Sequence, residues 1–189
     1  GAGGDGADLR GPGGGELEAE PQPEPAAVAA VGRFRPASQA DLAPSGQKAR
    51  FAANVEAIRI VRELEDQQRP ATEAEQRSLA RWSSWGAVPQ LFDKTEWAAE
   101  RAQLQDVLSE REYAAASRTT TNACYTDAAL VKEIWSAVDR LGFTGGEVLE
   151  PGSGAGTFIG FAPEGARMTG VELDPLTASI SRGLYPDAT

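Results

Sequence analysis

The chain has 189 residues, a formal net charge of −10, one cysteine and no histidine. The length suits one domain. The absence of histidine excludes imidazole acid–base chemistry and histidine metal sites, and a lone cysteine excludes an internal disulfide and fits a reducing cytoplasm. No run reaches the ~18 apolar residues that a membrane span needs, and there is no basic stripe of the kind a DNA-binding domain carries.

Residues 1–45 are rich in Gly, Ala, Pro and Glu. Such a segment cannot bury enough apolar surface to offset its ordering entropy, so a disordered tail is expected. Its acids Asp5, Asp8, Glu16, Glu18, Glu20 and Glu24 stand against Arg10 and read as a solvated linker.

From Ser45 the pattern becomes helical and stays so through residues 46–120. Ser45 is a fair cap, and Phe51, Val55, Ile58, Val61 (or Arg62) and Leu64 recur at helical spacing, which predicts a helix to about Gln68 before Pro70. Thr72 with Glu75 forms a capping box for a second helix, expected to end near Trp85-Gly86. Trp82 and Trp85 share one face of it. They serve either as a core pair or as a base-stacking platform, and core packing is the commoner use. A third helix is expected from Trp97 to about Leu108, capped near Asp93 or Thr95. A fourth starts at Ser109 with Glu112 as its box partner and runs to Ser117.

Residues 118–126 are polar and β-branched and read as a loop. Thr126 or Asp127 then caps a helix carrying Leu130, Val131, Ile134, Trp135, Val138 and Leu141, ended by Gly142. Cys124 has no basic neighbour to depress its pKa and reads as a small buried filler rather than a nucleophile.

The most informative stretch follows. Val148-Leu-Glu-Pro-Gly-Ser-Gly-Ala-Gly-Thr157 has the form of a buried strand that ends in an acid and turns over three glycines into a short helix. A second strand, Met168-Thr-Gly-Val-Glu-Leu-Asp174, also ends in acids. Glu172 lies ~20 residues past the first glycine, where an acid can hydrogen-bond a ribose. A dinucleotide turn needs Gly-x-Gly-x-x-Gly, but Thr157 stands at its third glycine position. Glu150 before the turn would repel a pyrophosphate and suits a cationic ligand. S-adenosylmethionine carries a sulfonium, an ammonium and a ribose without phosphate, so the turn reads as its binding loop. Pro175 then opens a last helix with Leu176, Ile180 and Leu184 on one stripe, ended by Pro186.

These residues carry a family resemblance. Val148 to Phe158 resembles motif I of the amino-group DNA methyltransferases, and Gly170-Val-Glu-Leu-Asp-Pro175 resembles their motif II. Asn122-Ala-Cys-Tyr-Thr-Asp127 resembles motif X, and motif X ahead of motif I is the order of the gamma class, which methylates adenine N6. Arg69-Pro-Ala-Thr and the segment Leu79 to Asp93 are similar to the region ahead of the methylase in large methyltransferase–helicase proteins of mobile elements. The resemblance covers about residues 46–189. Asp127 stands where the family usually has Pro, and Ala87 where it usually has Gly.

The resemblance implies an α/β, Rossmann-like S-adenosylmethionine-dependent methyltransferase domain beginning at residue 121, preceded by the helical region and the tail. It implies that Tyr125 and Thr126 lie over the methionine end of the cofactor. Glu150 and Pro151 would stand at the strand end, with Glu150 favouring the cationic group. Gly152, Gly154 and Gly156 would admit the cofactor to the backbone, with Phe158 beneath it. Glu172 would hold the ribose hydroxyls, with Leu173 beside it. For Phe158 ordinary core packing is an equal alternative, and for Asp127 so is a plain helix cap.

The family's Asn/Asp-Pro-Pro-Tyr/Phe motif, which grips the flipped adenine, does not occur in the chain. The expectation is therefore a fragment, inactive alone, of a DNA adenine-N6 methyltransferase, with DNA contacts and any helicase outside it. Two alternatives stand beside it: a non-catalytic helical interaction region with a degenerate cofactor fold, and a methyltransferase of RNA, protein or a small molecule.

Overall fold

In the computed structural model, residues 1, 3, 32–120 and 125–189 are described. The expectations for Cys124, for the start of motif X and for the first part of the tail lie outside them. The described residues form a mixed α/β structure with seven α-helices and a two-stranded parallel sheet.

Helix α1 spans Gln47–Gln67. Its apolar stripe, Phe51, Val55, Ile58, Val61 and Leu64, is buried, each side chain stabilising by roughly 1.5–3 kcal/mol relative to exposure. Gly46, at φ 84°, precedes it without a side-chain cap, so Ser45 is not the cap. Gln68 closes it in the left-handed region, its N–H bonding to the Leu64 and Glu65 carbonyls.

Helix α2 spans Glu73–Leu79 and starts with the expected Thr72–Glu75 capping box. Arg69 adds two hydrogen bonds to the Glu75 carboxylate, at 2.7 and 2.8 Å, and holds its pKa down at about 2. The helix stops six residues before the expected Trp85, because a buried asparagine of α1 captures the chain. Asn54 Oδ1 accepts the Ser83 N–H at 2.9 Å, and Asn54 Nδ2 donates to the Ser84 carbonyl at 2.5 Å. The competing side-chain bonds end the helical ladder. Trp82 and Trp85 are both 2% exposed, pack edge to face at 5.7 Å, and pass through Phe92 to Tyr113. They are core, not a stacking platform.

A 3-10 turn over Thr95–Trp97 leads into α3, Ala98–Val107, which has no side-chain cap, so neither Asp93 nor Thr95 plays that part. Helix α4 spans Glu110–Thr119 behind the expected Ser109–Glu112 box. Helix α5 spans Ala128–Arg140, with Asp127 capping it by accepting the Ala129 N–H at 2.8 Å.

Strand β1, Gly146–Pro151, passes through the short α6, Thr157–Gly160, to strand β2, Ala166–Val171. The strands pair in parallel from Gly146 with Ala166 to Pro151 with Val171. On the far edge of β2, Thr189 donates to Met168 O at 3.1 Å and accepts from Gly170 N at 2.9 Å, the pattern of one parallel bridge. Helix α7 spans Pro175–Leu184, with Pro175 in its first turn and Asp174 as its cap.

One buried core runs from α1 and α2 through α7 to β2. Gly183 lets α7 approach α2: a Cβ there would meet Leu79 Cδ1 at 2.7 Å. Gln76 of α2 is buried and donates to the carbonyls of Gly32, Gly183 and Leu184. The core thus crosses the boundary expected at residue 120. The tail boundary moves as well. Residues 32–45 lie against the α/β unit, with Phe34 N bonded to Leu184 O at 2.9 Å, Arg33 paired with Asp187, and Arg35 bonded to Ala162 O. Composition hid this because backbone and arginine bonds carry much of the contact, with Phe34 and Leu42 the few apolar side chains packed against the core.

Some apolar surface is left open. Leu149 and Leu173 are 64% and 95% exposed, and Leu130 of α5 is also exposed. Among the described residues no helix is long and apolar enough to cross a membrane, and no group of acids could hold a metal.

Candidate functional site

The carboxyl ends of β1 and β2 open into a cavity of about 1180 Å³. This is where ligands bind in open parallel sheets, because the strand ends and the turn leave a crevice. Nine of the ten residues singled out in the sequence line it: Tyr125, Thr126, Glu150, Pro151, Gly152, Gly154, Phe158, Glu172 and Leu173. Gly156 does not.

The three glycines of the turn have different reasons to be glycine. All have positive φ, at 74°, 57° and 87° for Gly152, Gly154 and Gly156. A Cβ on Gly152 would meet nothing within 4 Å, so this is the open approach to the backbone. A Cβ on Gly154 would touch Tyr125 Cε1 at 3.1 Å. A Cβ on Gly156 would strike the Tyr185 ring at 2.5 Å. Gly156 therefore makes room for a buried tyrosine at the end of α7 and is part of the packing.

Glu172 ties the turn to the end of β2. Its Oε2 accepts the Gly154 N–H at 2.9 Å and its Oε1 accepts the Asp174 N–H at 2.8 Å. Each oxygen keeps a lone pair for a hydroxyl on the cavity side. Asp174 accepts from Thr177 N at 3.0 Å and from the Thr177 hydroxyl at 2.7 Å, so its role is the α7 cap.

Glu150 is placed differently. Its Oε2 is buried without a hydrogen-bond partner, and Trp82 Nε1 is the only other such side-chain atom among the described residues. Burial pushes the Glu150 pKa up to about 7. The charge of Glu150 in turn adds to burial in raising the Tyr185 phenol. Tyr125 packs its ring on Gly154, and burial pushes its phenol up. Phe158 lines the cavity while its carbonyl accepts the Trp135 indole N–H at 3.0 Å, so wall and core roles coincide in it.

The helical region also reaches the cavity through Ser84, Ala115, Arg118 and Thr119. None of these was legible as a site residue. The one signal in the sequence is Asn54, a polar residue inside the apolar stripe of α1.

No protein-family model matches the chain, and no curated protein or solved structure is significantly similar to it.

Proposed function

We propose that the chain carries the S-adenosylmethionine-binding part of a Rossmann-like methyltransferase, and that the parent activity is adenine-N6 methylation of DNA. The observation that carries the cofactor assignment is the unpartnered, buried Glu150 oxygen in the wall of a cavity at the carboxyl ends of two parallel strands. A buried carboxylate without a donor is costly, and a cationic donor group relieves that cost. The rest of the lining fits the same ligand. Glu172 offers acceptors to a ribose, Gly152 leaves its backbone face open, and the acids on this side disfavour a pyrophosphate.

Bound there, S-adenosylmethionine would supply an activated methyl group. The chain's own residues bind and orient. Glu150 would stabilise the ligand's positive charge, Glu172 would accept from its hydroxyls, and Tyr125 with the Gly152–Gly154 turn would form the wall against it. The DNA assignment rests on the motif order and the resemblance of residues 69–93 and 122–127 alone.

Calorimetric titration of the chain with S-adenosylmethionine and, separately, with NAD tests the cofactor. Saturable binding of the first and none of the second is expected. Preference for NAD would overturn the assignment. Because the adenine-gripping tetrapeptide is absent from the sequence, labelled S-adenosylmethionine should transfer no methyl to adenine-rich DNA above a protein-free control.

A further inference from the structure

Ser84 stands in the cavity wall with a left-handed backbone, φ 53°. This region is unfavourable for a residue with a Cβ, and such residues persist only where the surroundings fix them. Asn54 does the fixing. Fully buried on α1, it bonds the Ser84 carbonyl through Nδ2 and the Ser83 N–H and hydroxyl through Oδ1. Both ends of a buried amide are committed to one turn. Ser84 itself is 4% exposed and lines the cavity, and no hydrogen bond ties its hydroxyl to another described residue. A hydroxyl in a cavity wall that no protein group engages is free to donate to or accept from a ligand. Arg118 shares this wall and is the only cationic side chain on the cavity lining among the described residues, while the α/β side supplies Glu150, Glu172 and Asp174.

We propose that Ser84 is a ligand-contacting residue. The turn that Asn54 pins makes the helical region a wall of the nucleoside site, and the Ser84 hydroxyl, in the same cavity lining as the Arg118 charge, receives the carboxylate of the ligand's amino-acid end. This rests on the cofactor assignment above. A zwitterionic amino-acid group suits a cavity with acids on one side and a guanidinium on the other.

The test is calorimetry on the full chain with two probes, S-adenosylhomocysteine and 5′-methylthioadenosine, which lacks the amino-acid end. Wild type, Ser84→Ala and Ser84→Gly are compared, with thermal melting of each without ligand. Both variants should bind S-adenosylhomocysteine about 3- to 10-fold more weakly, the loss of one hydrogen bond, and methylthioadenosine as wild type does. Ser84→Gly should melt no lower than wild type, since glycine adopts this φ freely. Unchanged S-adenosylhomocysteine affinity in both variants would overturn the Ser84 contact while leaving the cofactor assignment intact. Equal losses for both probes would overturn the placement of the amino-acid end. Failure of wild type to bind either probe would remove the cofactor assignment itself.

Discussion

The Glu172 carboxylate accepts the Gly154 amide at 2.9 Å, so the acid expected to hold a ribose also holds the glycine turn. One side chain therefore sets both the shape of the turn and the chemistry of the site. Glu172→Ala should weaken S-adenosylmethionine binding roughly 10- to 100-fold, from the loss of charge-assisted bonds to ligand and loop. Glu172→Gln keeps one acceptor oxygen and should lose less. Calorimetry on the two variants decides this, and unchanged affinity in Glu172→Ala would mean that the ribose lies elsewhere.

The glycines of the turn should separate stability from binding. Gly156→Ala forces a methyl into the Tyr185 ring at positive φ and should destabilise by roughly 2–4 kcal/mol. Gly152→Ala meets no atom and carries only the backbone strain, about 1 kcal/mol, but it should impair ligand binding. Thermal melting with parallel titrations would show the first effect in stability and the second in affinity. A large stability loss in Gly152→Ala would contradict the open approach.

Glu150 gives a pH dependence of definite sign. Its folded pKa of about 7 lies above the ordinary 4.5, so between those values the folded chain holds a proton that the unfolded chain has released. The contribution of Glu150 to stability therefore falls as pH rises from about 4.5 to about 7. Glu150→Gln should remove that decline from the melting temperature. A cationic ligand has the opposite preference and should bind more tightly as pH rises from 6 to 7.5 in wild type, but not in Glu150→Gln. Parallel pH profiles for the two proteins would refute both statements.

Residues 32–42 can be tested by deletion. Removing residues 1–42 takes away the Phe34 backbone bond to Leu184, the Arg33–Asp187 pair and the Arg35 bond to Ala162. The melting temperature should fall by several degrees relative to removal of residues 1–31, given about 0.5–1.5 kcal/mol per bond and 4–8 °C per kcal/mol for a small domain. Equal melting of the two truncations would mean that the segment contributes nothing.

Local rules were legible where the chain obeys them. The capping boxes at Thr72 and Ser109, the Asp127 cap, Pro175 at the start of α7 and the glycine turn all follow from short-range rules, and each stands where its residues put it. Long-range capture was not legible. The end of α2 is decided by Asn54, which is 29 residues from Ser83 in sequence. Gly156 looked like a site glycine because its reason, Tyr185, lies just past the last helix, remote in sequence. Most of the cavity lining came from motif spacing, whereas its Ser84 and Arg118 wall depends on how α1 and α4 meet the α/β unit.

The Gln76 amide has a consequence for how the molecule opens. It donates to Gly32, Gly183 and Leu184, three carbonyls from two segments, both remote from Gln76 in sequence. No one of these segments can detach without stranding a buried donor or acceptor. Helices α1, α2 and α7 should therefore exchange their amide protons as one cooperative unit, at a common free energy. Cleavage between residues 120 and 121 would then yield two pieces that each unfold, not two that survive.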